Sequence, residues 1–189
     1  LFTTIVKSAL PNKKTYSQMI PRPDSADFPS YYQPYIDQLP DEDVLNLLER
    51  QIEDIKDLFS NIPDARAKEA CAEGKWTMKE LLQHMLDSER IFSYRALCFS
   101  RGEQASLPGY DENMYAANSN ANARSVQSIL EEYELVRKSN LLLFRSFTPE
   151  MLESYGVANG NKMSLCALIY VLAAHELHHI NILKERYLS

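Results

Sequence analysis

The residues best suited to chemistry crowd near the end of the chain, in Ala174-His175-Glu176-Leu177-His178-His179. Three of the four histidines stand there, and the fourth, His84, lies far upstream. At about 100° per residue, His175 and His179 fall about 40° apart on one helical face, one turn from each other. Two imidazoles at that spacing can grip one metal ion, because their ring nitrogens converge from adjacent turns. Leu168, Leu172 and Ile182 share the sector, so the pair points toward a helical interior. His178 lies about 60° to the other side of His175, at the edge of the stripe. The string from His175 to His179 also satisfies H-E-x-x-H, the zinc-protease pattern. That pattern ordinarily takes a third ligand downstream, and Glu185 and Ile182 stand where the longer form needs histidine and glycine. A protease is therefore not expected. Glu176 lies about 60–100° from the paired histidines, a poor place for a general base. A third imidazole, if one exists outside the cluster, is His84. It shares a helical face with Glu80, Leu81, Asp87, Ser88, Ile91 and Arg95. That face reads either as solvated surface or as one wall of a polar cleft, and the residues permit both.

The elements that must position these groups follow from where helix breakers fall. Only five of 189 residues are glycine, and six of the nine prolines lie within the first 40 positions. Pro63, Pro108 and Pro149 then punctuate segments of helical length. Asp41 is the expected N-cap of a first helix with Val44, Leu48, Ile52, Ile55, Phe59 and Ile62 on one stripe. Thr77 and Glu80 read as a capping box that opens a second helix running to Arg101. Its apolar stripe is Met78, Leu82, Met85, Phe92 and Ala96. A third helix begins near Ser125 and carries Val126, Ile129, Leu130, Tyr133, Leu141, Phe144 and Phe147, after which Thr148-Pro149-Glu150 restarts a short one. The last spans Ser164 to Tyr187, and no strand is expected. An all-α four-helix bundle follows. The first 40 residues, with Tyr31, Tyr32 and Tyr35, read as an extended strap. Residues 102–124 form a long loop between helices two and three that caps the bundle. Leu165, Ile169, Leu172, Ala173 and Ile180 spread around the last helix, so several neighbours or a second subunit should bury it. A homodimer is expected on that ground.

Composition removes several classes of function. The glycines never form G-x-G, so neither a dinucleotide fingerprint nor a phosphate loop can be written. Three unevenly spaced cysteines make no zinc ribbon and argue against a disulfide framework, so a reducing, cytoplasmic setting is expected. A net charge of −6 repels nucleic acid and anionic membrane, and no apolar run reaches the roughly 18 residues of a span. Cys98 and Cys166 read as small core residues, and Trp76 as a core anchor.

Gly74-Lys75-Trp76-Thr77, then His84, then Asp87-Ser88-Glu89-Arg90 resembles the second-helix signature of the DinB-like superfamily. More narrowly, it is similar to the YfiT-like metal-dependent hydrolase branch. The leader RPDSADFPSYYQPYIDQLPDEDVLNLL, the stretch YRALCFSRGEQASLPGYDENMY and the closing HELHHINILKERYL fit the same resemblance. It covers residues 22–189 as one bundle domain and leaves 1–21 as an N-terminal extension, expected to be poorly ordered. The resemblance implies one divalent metal ion held by three histidines, one from helix two and two, four residues apart, from the last helix. Carried over by position, these are His84, His175 and His179.

Three neutral imidazoles would leave a metal ion with its charge uncancelled and a coordination position open, a catalytic arrangement suited to zinc or nickel. An activated water would make a hydrolase acting on a small molecule. A bound low-molecular-weight thiol would instead make an S-transferase. A non-catalytic, metal-stabilised binding module is the third expectation. Asp87 and Glu80, three and four residues from His84, are the candidates to orient a ligand imidazole from behind. Arg95 is placed to meet an anionic substrate or to pair with a surface glutamate.

Overall fold

The computed structural model describes residues 19–188, so the expected 1–21 extension lies almost wholly outside the described residues. Four long helices make the bundle: α2 (Val44–Phe59), α3 (Met78–Ser100), α5 (Val126–Phe144) and α7 (Leu165–Ile182). A π-helical turn, Leu183–Tyr187, continues the last. Helices α2 and α3 each pack against both α5 and α7, so consecutive α2 and α3 stand on a diagonal. That arrangement lays the two histidine-bearing helices, α3 and α7, side by side.

Local chemistry sets the helix starts. Thr77 accepts from the Glu80 amide at 3.1 Å while Glu80 accepts from the Thr77 amide at 2.8 Å, the reciprocal box expected there. Ser125 and Ser164 cap α5 and α7 through the amides of Ser128 and Ala167. The α2 cap is Asp43 rather than Asp41, because its carboxylate accepts from the amides of Leu45 and Asn46. Side chains all round α7, from Leu165 to Ala174, are buried. Helices α2 and α3 and a short turn, α1 (Gln33–Ile36), supply the cover, with α6 (Pro149–Leu152) beside them. By length and composition this helix could cross a membrane, yet 72% of its apolar stretch is buried in the bundle, as in a core helix. Of the two expected covers, several neighbours or a second subunit, the chain's own elements supply the first.

The expectation of no strand is corrected. Strands β1 (Tyr155–Ala158) and β2 (Asn161–Ser164) form an antiparallel hairpin, with Tyr155 opposite Ser164 and Ala158 opposite Asn161. Asn159 and Gly160 turn it with φ of 51° and 73°. Asn-Gly is the pair that tolerates two consecutive left-handed residues, which a two-residue hairpin turn demands. Leu107 bonds this hairpin on both sides, its amide to the Val157 carbonyl and its carbonyl to the Asn159 amide. The 102–124 connection is therefore pinned to the bundle end, and within it α4 (Glu112–Asn118) packs on α3.

The strap is less extended than expected, since Ser30–Tyr32 forms a 3-10 turn that runs into α1. It lies along α7, where Tyr170 Oη donates to the Ile20 carbonyl and Arg22 donates to the Ile36 carbonyl.

Candidate metal centre

On α7, the 3.6-residue turn puts His175 and His179 on one face, as their spacing requires. The adjacent α3 brings His84 to meet them. The Nε2 atoms of the three rings form a nearly equilateral triangle, 3.2 Å from His84 to His175, 3.2 Å from His84 to His179 and 3.1 Å from His179 to His175. His84 and His179 are buried and His175 is half-buried. The reading of the His84 face as solvated surface is thereby corrected. Leu81, Ser88 and Arg95 on that face are buried too.

The donor set fits one metal ion. Nitrogens about 2.1 Å from a common ion stand roughly 3.0 Å apart at right angles and about 3.4 Å apart at the tetrahedral angle. The observed edges fall between these limits. Hydrogen bonding alone cannot account for the triangle, because each Nε2 either carries a proton or offers a lone pair. With any assignment of protons, at least one edge joins two donors or two lone pairs. Burial also keeps the rings uncharged. It lowers His84 to about 4 against an opposing pull from Glu112, and, with help from His84 and His178, lowers His175 to about 3. His179 is driven lower still, by burial first and then by its imidazole neighbours. Three lone pairs are thus available at neutral pH.

The triangle opens on a cleft of about 370 Å³ with aromatic walls. Trp76 lies 4.8 Å from the His84 ring, and Phe92 meets His175 edge-on at 5.7 Å. Trp76 was expected as a core anchor; it packs against the core with one part and walls the cleft with another. His178 stands outside the triangle, its ring edge-on to Tyr35 at 4.9 Å. Tyr110 and Glu112, from the 102–124 connection, and Asn159, from the hairpin turn, complete the lining. Sequence reasoning missed these three. The Asp111 cap before Glu112, which accepts from the amides of Asn113 and Met114, was the available signal for α4.

Both carboxylates expected behind the histidines are engaged elsewhere. Glu80 closes the Thr77 box and accepts from Asn122, and Asp87 accepts from Gln83 at 2.9 Å. His179 Nδ1 is buried with no hydrogen-bond partner among the described residues. Glu176 faces away from the cleft, into a buried cluster where Tyr133 donates to it at 2.7 Å and Arg137 also binds it. Arg137 reaches Glu89 through Nε at 2.9 Å and Nη2 at 2.8 Å, and Asn140 donates to Glu89 at 2.9 Å. Cys166 is buried as expected, donating to the Pro21 carbonyl, and burial pushes its thiol up to about 12. Cys98 is half-buried.

Comparison with known proteins agrees with this architecture. The sequence profile of the DinB superfamily matches residues 47–183, a span holding all three triangle histidines. A protein of Oceanobacillus iheyensis, named as a candidate metal-dependent hydrolase, is 23% identical over 137 residues, covering 72% of this chain and 79% of its own. YfiT from Bacillus subtilis carries the same kind of name, with an unusual four-helix-bundle topology. It superposes with a TM-score of 0.71 at 17% identity, over 79% of this chain and 88% of its own. A mycothiol-dependent maleylpyruvate isomerase superposes with a TM-score of 0.62 at 15% identity, over 77% of this chain and 61% of its own. At such low identity the two structures speak for the fold, and the profile match speaks for descent. The chain belongs to the DinB superfamily.

Proposed function

We propose that the chain is a metal-dependent hydrolase of a small molecule, with His84, His175 and His179 as ligands to one divalent ion. The triangle of convergent, neutral Nε2 atoms carries this reading. Three imidazoles suit zinc or nickel. Such an ion, when bound, would acidify a water or a thiol at its open position. The protein's own part is to hold three lone pairs convergent and uncharged, and to flank two of the rings with Trp76 and Phe92. Glu112 is the one carboxylate among the cleft's lining residues, and its field already reaches His84. It is the group placed to accept a proton from the nucleophile.

A second reading, a low-molecular-weight-thiol S-transferase, is favoured by the likeness to the mycothiol-dependent isomerase and by a cleft open to a second molecule. Metal analysis of untagged protein, wild type against His84→Ala, tests the centre: one ion per chain in both would remove His84 from it. Ester and amide substrates assayed with and without added thiol then separate the chemistries. Turnover only with thiol replaces hydrolysis by transfer. No turnover in either, with metal removal merely lowering thermal stability, leaves a metal-stabilised binding module.

A further inference from the structure

Beside the uncharged triangle, the cleft holds a buried cation. Arg95 lies on α3, eleven residues beyond His84, which returns it to within about 20° of the same helical face. Its guanidinium sits 5.9 Å from the centre of the Phe92 ring, and the same ring meets His175 edge-on at 5.7 Å. One aromatic ring is therefore in contact with both the cation and the imidazole triangle. Arg95 is only 8% exposed and lines the cleft.

Arg95 is buried without a carboxylate partner among the described residues. A guanidinium carries five N–H donors. Among the described residues one hydrogen bond is made, from Nη2 to the Pro108 carbonyl at 3.0 Å. The ionisable groups that act on it are the phenols of Tyr32, Tyr110 and Tyr31, and among the described residues no carboxylate pairs with it. Arg137, the other deeply buried arginine, is by contrast held by two glutamates and a carbonyl. Burying a cation without an anion is costly, and a ligand that supplies the anion recovers that cost. The remaining donors form a planar fork matched to a two-oxygen acceptor. One arginine, with Glu112 across the same cleft, favours a singly charged acid over a doubly charged phosphate.

We propose that Arg95 binds the carboxylate of the substrate, so that the cleft takes a small carboxylic acid whose reacting group lies against the three histidines. The proposal rests on reading those histidines as the reaction centre, but the carboxylate clamp can be tested without metal. Phenylacetate and its neutral analogue phenylacetamide serve as probes, titrated calorimetrically into metal-free and zinc-loaded protein. In metal-free wild type, phenylacetate should bind about 10- to 100-fold more tightly than the amide, the usual worth of a charge-assisted pair. Arg95→Met should abolish that preference, and Arg95→Lys, which keeps the charge without the fork, should retain part of it. Equal binding of both probes to wild type, or an undiminished preference in Arg95→Met, overturns the proposal. Tighter, Arg95-dependent binding of phenylphosphonate overturns the choice of carboxylate. Should Arg95→Met not fold, the Arg95 Nε–H resonance decides: it must shift when phenylacetate is added to wild type, and a static signal overturns the clamp. The preference persisting in a wild type that takes up no zinc would sink the metal centre and leave the clamp standing.

Discussion

Arg137→Met should be the most damaging single substitution in the bundle core. Arg137 is fully buried and gives Nε and Nη2 to Glu89, Nη2 also to Glu176, and Nη1 to the Leu48 carbonyl. Methionine fills much of the stem's volume but supplies none of these donors. Glu89 would keep Asn140, and Glu176 would keep the Tyr133 hydroxyl. Each carboxylate would otherwise be stranded. Breaking a buried ion pair from one side costs about 3–5 kcal/mol. Burial already pushes the Glu176 carboxyl upward, so this residue can take a proton and relieve part of the loss. We therefore expect a destabilisation of about 3–5 kcal/mol against a domain stability of roughly 5–15 kcal/mol. Urea unfolding followed by circular dichroism measures it, read from the midpoint at unchanged slope. The triple variant Glu89→Leu, Arg137→Met, Glu176→Leu should recover most of the loss, because no charge is left unpaired. A loss under about 1 kcal/mol in Arg137→Met, or no recovery in the triple variant, would refute the idea that stranded charge sets the cost.

Other consequences are simpler to check. His84→Ala and His179→Ala should each weaken zinc binding by more than about 100-fold in chelator competition, whereas His178→Ala should leave stoichiometry at one ion per chain. Zinc added at about 1,000 times its dissociation constant should stabilise the protein by about 4 kcal/mol, and stripping it should lower the melting temperature accordingly. Gly156→Ala should cost about 1–3 kcal/mol in thermal unfolding, because a Cβ there would stand 2.0 Å from the Phe99 ring. Thr77→Ala removes the α3 cap and should cost about 1 kcal/mol without changing zinc stoichiometry.

Helices were legible because their signals are local. A capping threonine, an apolar stripe and a breaker define α3 without knowledge of its neighbours, and the same holds for α5 and α7. The α2 start was expected at Asp41, and only the amides that Asp43 reaches move the cap two residues on. The hairpin's Asn159-Gly160 signal was also local, but strands of four residues containing Gly156 and Lys162 carry little β preference of their own. What local signals cannot give is which faces meet. His84 and Arg95 sit on a mixed face that reads as surface until α7 and the 102–124 connection cover it. Glu89 and Arg137 gave no warning at all, since charges on helices read as solvated unless their partners are known.

That buried cluster explains the glutamate inside the H-E-x-x-H string. On α7, Glu176 projects about 60–100° away from His175 and His179. In a zinc protease the same letter serves as a base, but here the angle turns it from the cleft to Arg137 and Tyr133. Its carboxylate thereby fixes the rotation of α7 about its own axis. Glu89 acts on α3 in the same way, five residues beyond His84 and on the same arginine. A rotation of either helix that spoiled the imidazole triangle would also pull a carboxylate off Arg137. The geometry of the three nitrogens is thus tied to an ion cluster on faces of the two helices turned away from the triangle. Contacts behind the rings themselves are not needed for this, and one of those rings has none: His179 Nδ1 is without a partner among the described residues.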